Sequence, residues 1–215
     1  MFSDYLPLLR KVEGGYANLP ADRGGETYAG ITKKNFPTWA GWPIVNAARP
    51  KQNDIIANPK LDKLVADFYL KNFWNKLQCD KLTKYVGMNL CDFAVGSGIV
   101  TAGIAFQKVI NSLMETGQTT LVTDGKIGPL TIAAANKLNQ KKLNDSLLAY
   151  RAEFYKKIVS NNPSQNVFLA GWISRLTNFA SIDEVIETVK KKVNMTYVYI
   201  GAALLAMLLV LKYKK

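Results

Sequence analysis

The sequence EGGYANLPADRGGETYAGIT occupies residues 13–32 and follows a segment with helical periodicity. In that segment the apolar residues recur at helical spacing, Ser3 can cap the N-terminus, and Gly14 can end the helix. We therefore predict a helix from Ser3 to Val12. The rest of the quoted stretch combines glycines with short Tyr, Thr and Ile pieces, which indicates a small irregular or β-hairpin lip.

Glu13 lies where a catalytic acid would be favoured. Carbonyl groups at the end of a helix carry negative partial charge, and nearby apolar groups would add desolvation. Both effects raise the pKa of a carboxyl group, which suits a general acid. Asp22 follows nine residues later and Thr27 five beyond it, so both are expected on the lip. A glycosidase needs such a pair of polar groups across the sugar.

Taken alone, these residues also have a structural explanation. Glu before Gly-Gly is a common way to end a helix, and Asp in a glycine-rich turn is usually structural. On those grounds a structural role for Glu13 and Asp22 is favoured, and further sequence features are needed to choose.

Composition narrows the possible chemistry. The chain has 28 Lys and Arg, 16 Asp and Glu, and no His, so its net charge is +12. The absence of His excludes Ser–His–Asp and Cys–His catalysis, and we expect no metal and no cofactor. The basic surface favours polyanions such as an acidic cell-wall polymer, while no motif supports nucleic-acid binding. Cys79 and Cys91 are predicted to be two buried thiols, with a single disulfide as the alternative.

The remaining chain is predicted to be mainly α-helical. Apolar periodicity predicts helices over residues 61–74, 85–95, 102–114, 130–138, 144–159 and 167–179, with Asn144 as an N-cap. Residues 183–192 form an amphipathic linker helix in this interpretation. Residues 193–211 are 19 uncharged residues with lysines on both sides. They would span roughly 28 Å as a helix, close to the thickness of a bilayer core.

Several motifs together resemble the glycoside hydrolase family 108 N-acetylmuramidases. These enzymes carry a helix that ends in E-G-G-Y, then a D-x-G-G turn and a G-I-T triplet. The three elements stand here as Glu13–Tyr16, Asp22–Gly25 and Gly30–Thr32. The similarity continues in the family's order through Phe73–Trp74, Cys79–Leu82, Asp92–Val95, Asp124–Pro129 and Phe168–Trp172. It covers about residues 5–180.

The resemblance implies a lysozyme-like helical domain with a small irregular or β lip. It implies that Glu13 is the catalytic acid and that the enzyme cleaves the β-1,4 bond between N-acetylmuramic acid and N-acetylglucosamine in bacterial peptidoglycan. Similarity to phage-type lysozymes, in which an Asp and a Thr follow the catalytic Glu, adds Asp22 as the second catalytic residue. The expected substrate contacts are Tyr16, Thr27, Thr32 and Asp92.

The predicted organisation has two functional regions and a membrane anchor. Residues 1–120 form the catalytic region, and residues 121–182 form a peptidoglycan-binding-like helical region packed on it. After the linker at 183–192, a transmembrane helix at 193–211 contacts the lipid bilayer, and 212–215 form a basic tail. The localisation expected from this is a viral membrane or the host inner membrane, for a phage or prophage lysozyme.

Two alternatives differ in class from this enzyme. One is a catalytically inactive peptidoglycan-binding or structural virion membrane protein of the same fold. The other is a holin-like, membrane-disrupting protein that uses the tail. Intact Glu13 and Asp22 argue against the first, and one terminal span on a large globular part argues against the second.

Overall fold

The computed structural model describes residues 1–18 and 25–180. The N-terminal part begins with helix α1 (Phe2–Glu13). A small antiparallel sheet follows, made of β1 (Tyr16–Ala17), β2 (Thr27–Tyr28) and β3 (Ile31–Thr32) in the order β1-β2-β3. The predicted hairpin-like lip is therefore present and lies directly after the helix that ends in Glu13.

Seven further α-helices build the rest of the described chain. They are α2 (Trp42–Ala48), α3 (Pro59–Tyr69), α4 (Lys84–Ser97), α5 (Ile99–Leu113), α6 (Pro129–Lys137), α7 (Gln140–Asn161) and α8 (Asn166–Leu176). A π-helical turn at Leu70–Trp74 continues α3, and short 3-10 turns lie at Cys79–Lys81, Pro163–Gln165 and Thr177–Phe179. The prediction of a mainly helical protein is confirmed.

Helix α4 forms the centre of the core. Nine of its 14 residues are buried, and it packs against α1, α5 and α7. A helix that is apolar around most of its circumference is stable only when other elements cover it on every side. This explains why the three neighbours surround it and why residues 1–179 form one compact unit. The division into catalytic and binding regions near residue 120 stays a prediction.

Both cysteines lie in this core as free thiols. Cys79 and Cys91 are fully buried and unbonded to each other, so the prediction of two buried thiols is confirmed.

The predicted cap of α7 is wrong. Asn139 caps the helix, because its side chain accepts a hydrogen bond from the Lys142 backbone N–H at 2.9 Å. Asn144 lies inside the helix and is buried. Its amide group donates to the Phe179 carbonyl at 2.7 Å. Asn144 therefore links α7 to the 3-10 turn at Thr177–Phe179 and does not cap the helix.

The fold class must be corrected for its membrane-spanning part. No helix in residues 1–18 and 25–180 is both long and apolar enough to cross a membrane. Helix α5 is apolar but has only 15 residues, and α7 has 22 residues but carries charges along its length. The predicted linker helix at 183–192, transmembrane helix at 193–211 and basic tail at 212–215 lie outside the described residues. The transmembrane helix and the single-pass localisation are therefore withdrawn from the predicted architecture.

Candidate active site

Glu13 is the last residue of α1 and projects from the point where the chain turns into β1. Tyr5 and Leu9 anchor the buried face of this helix. Gly14 ends the helix with φ of 68°, a conformation that glycine adopts at little cost. Gly15 then passes close to the backbone of residues 53–54, where a Cβ atom would overlap the Asp54 carbonyl. The two glycines of the motif thus fix the place of the carboxyl group.

The turn between β2 and β3 lies against the Glu13 carboxyl group. Ala29 and Gly30 have φ of 48° and 76°, as a tight two-residue hairpin turn requires. A Cβ atom on Gly30 would overlap both Glu13 Oε2 and the Tyr69 hydroxyl oxygen. That hydroxyl donates to the Ala29 carbonyl at 2.7 Å. The turn therefore needs glycine at position 30 to leave space for the carboxyl group.

Arg175, from α8, holds the other oxygen of the Glu13 carboxyl group. Its Nη1 and Nη2 atoms both lie 3.2 Å from Glu13 Oε1. The same guanidinium donates to Asp92 on α4, from Nη2 to Oδ1 at 2.7 Å and from Nε to Oδ1 and Oδ2 at 2.9 and 3.0 Å. Arg175 thus bridges the two carboxyl groups.

Asp92 is fixed by a second arginine. Arg151 on α7 donates from Nη2 to Asp92 Oδ2 at 2.7 Å, and both side chains are almost completely buried, at 0% and 2% exposure. Arg151 also donates to the Asn89 side-chain oxygen at 2.6 Å. The Tyr5 hydroxyl donates to Asp92 Oδ1 at 3.3 Å. Buried charges need such partners, because an unpaired one would be strongly destabilising.

The environment raises the pKa of Glu13 above the usual range of a carboxyl group. Burial is the largest cause, because the ionised form loses its hydration. The positive charge and hydrogen bonds of Arg175 oppose this effect, and the negative charge of Asp92 adds to it. Burial outweighs the arginine in the ground state, so the proton is retained to higher pH. A buried carboxyl group that holds its proton in this way can serve as a general acid.

Two of the predicted substrate contacts, Thr27 and Thr32, lie on one face of the sheet, and a third, Tyr16, lies on the other. Thr27 and Thr32 are direct cross-strand partners, so their side chains share one face. Tyr16 pairs with Tyr28, which places both on the opposite face. Thr32 Oγ1 is buried without a hydrogen-bond partner, whereas Thr27 Oγ1 donates to the Gly25 carbonyl at 3.1 Å. Thr32 therefore has an unused hydroxyl group.

The remaining predicted residues have different placements. Asp92 was expected to contact substrate, but it lies behind Arg175 and its oxygens are occupied by the two arginines and by Tyr5. Asp22 lies outside the described residues.

The sequence interpretation overlooked one carboxylate on the lip. Glu26 accepts from Lys33 Nζ at 2.6 Å and from the Tyr16 hydroxyl at 3.4 Å. Across residues 1–18 and 25–180, no group of acidic or cysteine side chains could hold a metal ion.

Sequence interpretation also missed Arg151 and Arg175. Each had a weak signal, because each is a charged residue within an apolar stripe of its helix. Arg151 follows Leu147 and Leu148 and precedes Tyr155, and these three are buried with it. A charge at such a position indicates a buried partner, although the sequence does not say which carboxylate that partner is.

A large groove lies apart from this cluster. It has a volume of about 1130 Å³ and is lined by residues from the end of α5, the following loop, α6 and the start of α7. It contains none of the residues that surround Glu13.

Comparison with known proteins gives two matched stretches of the chain. Residues 6–98 match the family model described as Glycosyl hydrolase 108, and residues 102–177 match the model described as Predicted Peptidoglycan domain. Twelve chains of solved structures match, among them SagA of Brucella abortus, with 28% sequence identity and a TM-score of 0.59. That match covers 83% of this chain and 90% of SagA. No curated protein matches the chain.

The site is assembled from both matched stretches. Glu13 and Asp92 belong to the first, and Arg151 and Arg175 belong to the second. The second stretch therefore contributes two side chains to the cluster around the Glu13 carboxyl group, in addition to any role in binding peptidoglycan.

Proposed function

We propose that this chain, whose residues 6–98 match the Glycosyl hydrolase 108 model and whose residues 102–177 match the Predicted Peptidoglycan domain model, is a peptidoglycan hydrolase of the N-acetylmuramidase type. The bond it cleaves in this proposal is the β-1,4 bond between N-acetylmuramic acid and N-acetylglucosamine, and Glu13 is the general acid. The observation that supports this most directly is the largely buried Glu13 side chain, which is 19% exposed, whose pKa is raised and whose two oxygens have different surroundings.

The different surroundings favour one position for the proton. A guanidinium group only donates hydrogen bonds and stays charged, so Glu13 Oε1, which faces Arg175, is the oxygen without the proton. Oε2 packs against Gly30, on the side of the carboxyl group away from the Arg175 hydrogen bonds. We propose that the proton on Oε2 is transferred to the glycosidic oxygen as the bond to the leaving sugar breaks.

The second carboxylate in this proposal is Asp22. It either positions and deprotonates the attacking water or stabilises the positive charge that develops on the sugar ring. Thr27, Thr32 and Tyr16 are proposed to contact the glycan from the lip. Thr32 Oγ1 has no hydrogen-bond partner within the described residues, so its hydroxyl group is not committed to another contact. Asp92 acts indirectly, by holding Arg175 in place.

The test compares Glu13→Gln with Glu153→Gln. Glu153 is an exposed glutamate on α7 that pairs only with Lys156, so its variant controls for the loss of one surface carboxylate. Purified peptidoglycan is incubated with each protein, and new reducing ends are counted and identified by mass spectrometry. We expect Glu13→Gln to stay folded and to lose at least two to three orders of magnitude in rate, which is the scale of general acid catalysis.

Two results would contradict the proposal. Near wild-type cleavage by a folded Glu13→Gln protein would remove Glu13 from the reaction. Reducing ends on N-acetylglucosamine would show that the other glycosidic bond is cut, and an anhydro sugar without incorporated water would show that the reaction is not hydrolysis.

A further inference from the structure

Helix α8 exposes an unusual amount of apolar surface. Leu176 is its only buried residue, while Val167 and Phe168 are 77% and 52% exposed. The Phe168 ring stacks on the Trp172 ring, with centroids 5.9 Å apart and planes 28° apart. Trp172 is supported from below by Tyr155 of α7 at 5.4 Å. Exposed aromatic surface of this kind commonly marks an interaction site.

This aromatic surface leads to the candidate active site. Residues four and seven positions apart lie on one side of a helix, so Phe168, Trp172 and Arg175 form one stripe. Arg175 is the residue that contacts Glu13. The seven residues from Phe168 to Arg175 correspond to a rise of roughly 10 Å, which is the scale of a disaccharide.

Gly171 leaves open space beside the two rings. A Cβ atom at this position would meet no other atom within 4 Å. The backbone is therefore bare between the aromatic residues, and a flat ligand can approach the helix closely. We call Phe168, Gly171 and Trp172 the α8 aromatic face.

We propose that the α8 aromatic face binds the glycan strand of peptidoglycan next to the bond that is cleaved. The apolar C–H surfaces of the sugar rings lie on the two aromatic rings, while the strand continues past Arg175 to Glu13. Aromatic rings suit this task because they offer a large rigid surface at a small cost in conformational entropy. The inference rests on the proposed glycan cleavage and assigns one wall of its binding cleft to the stretch that matches the peptidoglycan domain.

Continuity with the candidate site favours a glycan over other occupants. An aromatic surface that serves only self-association has no reason to end at an arginine bonded to the catalytic carboxyl group. The proposal therefore expects the length of the glycan substrate to matter, because only a strand longer than the pair of sugars at the cleaved bond would reach Phe168.

Two variants test the face in opposite ways. Phe168→Ala removes half of the stacked pair, and Gly171→Leu adds a side chain at a position where a Cβ atom meets nothing within 4 Å apart from its chain neighbours and its own helix backbone. Replacing glycine inside a helix also favours the helical conformation, so the second variant is expected to fold. Val167→Ala is the matched control, because Val167 is the adjacent exposed apolar residue but points about 100° away from Phe168 around the helix.

Steady-state kinetics are measured on glycan oligomers of two and of four or more disaccharide units. We expect both variants to raise KM for the long oligomers about 5- to 20-fold, with little change in kcat and little change on the short ones. Val167→Ala should match the wild type. Equal KM values for wild type, Phe168→Ala and Gly171→Leu on long oligomers would overturn the proposal.

Direct binding separates this inference from the identity of the catalytic acid. Calorimetry with the long oligomers in a Glu13→Gln background should show weaker binding for Phe168→Ala. If Glu13→Gln cleaves normally, the proposed acid is wrong, whereas unchanged oligomer binding by Phe168→Ala shows that the α8 assignment is wrong. The proposal is also overturned if Phe168→Ala abolishes self-association or liposome binding of the wild type while glycan binding is unchanged.

Discussion

Arg175 provides the sharpest test of how the site works, because one side chain contacts both carboxyl groups. We consider Arg175→Met, which keeps much of the apolar stem but removes five hydrogen bonds, two to Glu13 and three to Asp92. Breaking a buried ion pair commonly costs about 3–5 kcal/mol. Asp92 keeps Arg151 as a partner, so we expect the smaller loss of about 2–3 kcal/mol in the free energy of unfolding. The melting temperature should fall by about 4–12 °C.

The effect on activity has two separate parts. A charged hydrogen bond contributes about 1.5–3 kcal/mol. Both Arg175 nitrogens meet the same Glu13 oxygen, so we count them as one interaction, and its loss should lower kcat about 10- to 100-fold. Loss of the positive charge also raises the pKa of Glu13 further, because Arg175 is the main group that lowers it. Glu13 acts in its protonated form, so activity falls as pH rises through this pKa. The alkaline limb of the pH–rate profile should therefore move to higher pH in Arg175→Met.

Two comparison variants make the result specific. Arg175→Lys keeps the charge but cannot bridge both carboxyl groups, so we expect a lower kcat with an alkaline limb close to that of the wild type. Arg49→Met removes an equal charge from an exposed position and should change neither quantity. A folded Arg175→Met protein with wild-type kcat, or with its alkaline limb moved to lower pH, would refute the assigned role of Arg175.

Three other changes are expected to have distinct effects. Gly30→Ala places a methyl group where the Glu13 carboxyl group lies and strains a backbone with φ of 76°. Thermal unfolding should show a loss of about 1–3 kcal/mol in the free energy of unfolding. Lysis of peptidoglycan should nearly cease. Asp22→Asn should lower kcat much more than it weakens glycan binding. Glu26→Gln, the matched change at another carboxylate, should leave kcat unchanged. NMR of the first product then distinguishes inversion from retention. Arg151→Met leaves Asp92 with one arginine in the core, and urea unfolding should show a loss of about 3–5 kcal/mol.

The sequence was sufficient for the local features of the site. Apolar periodicity predicts α1, and the Gly-Gly pair predicts its end beside Glu13. The glycine-rich stretch predicts a small lip, and the structure has β2 and β3 there. These features depend on interactions within a few residues, so their signals are present in the order of the amino acids.

Long-range partners could not be predicted in the same way. Arg175 is 162 positions from Glu13, and an arginine on a helix does not indicate which carboxylate it will meet. Asp92 was expected at the substrate because it belongs to a recognised motif, but two arginines from later helices enclose it. The faces of the sheet could be inferred only once the pairing of Thr27 with Thr32 was known.

The placement of Arg175 resolves an apparent conflict in the site. A general acid needs a raised pKa, yet an arginine beside a carboxyl group lowers it. Burial outweighs the arginine, so the pKa of Glu13 stays above the ordinary value of a carboxyl group. In the proposed mechanism, negative charge develops on Glu13 as the proton moves to the leaving oxygen, and the attraction between this charge and Arg175 grows. Only an interaction that strengthens toward the transition state increases the rate of the chemical step. Arg175 meets this condition because Asp92 holds its guanidinium in position before the charge appears, so that little reorganisation is needed. This accounts for a cluster of two arginines and two carboxyl groups, and it explains why the stretch matching a peptidoglycan domain should be needed for catalysis.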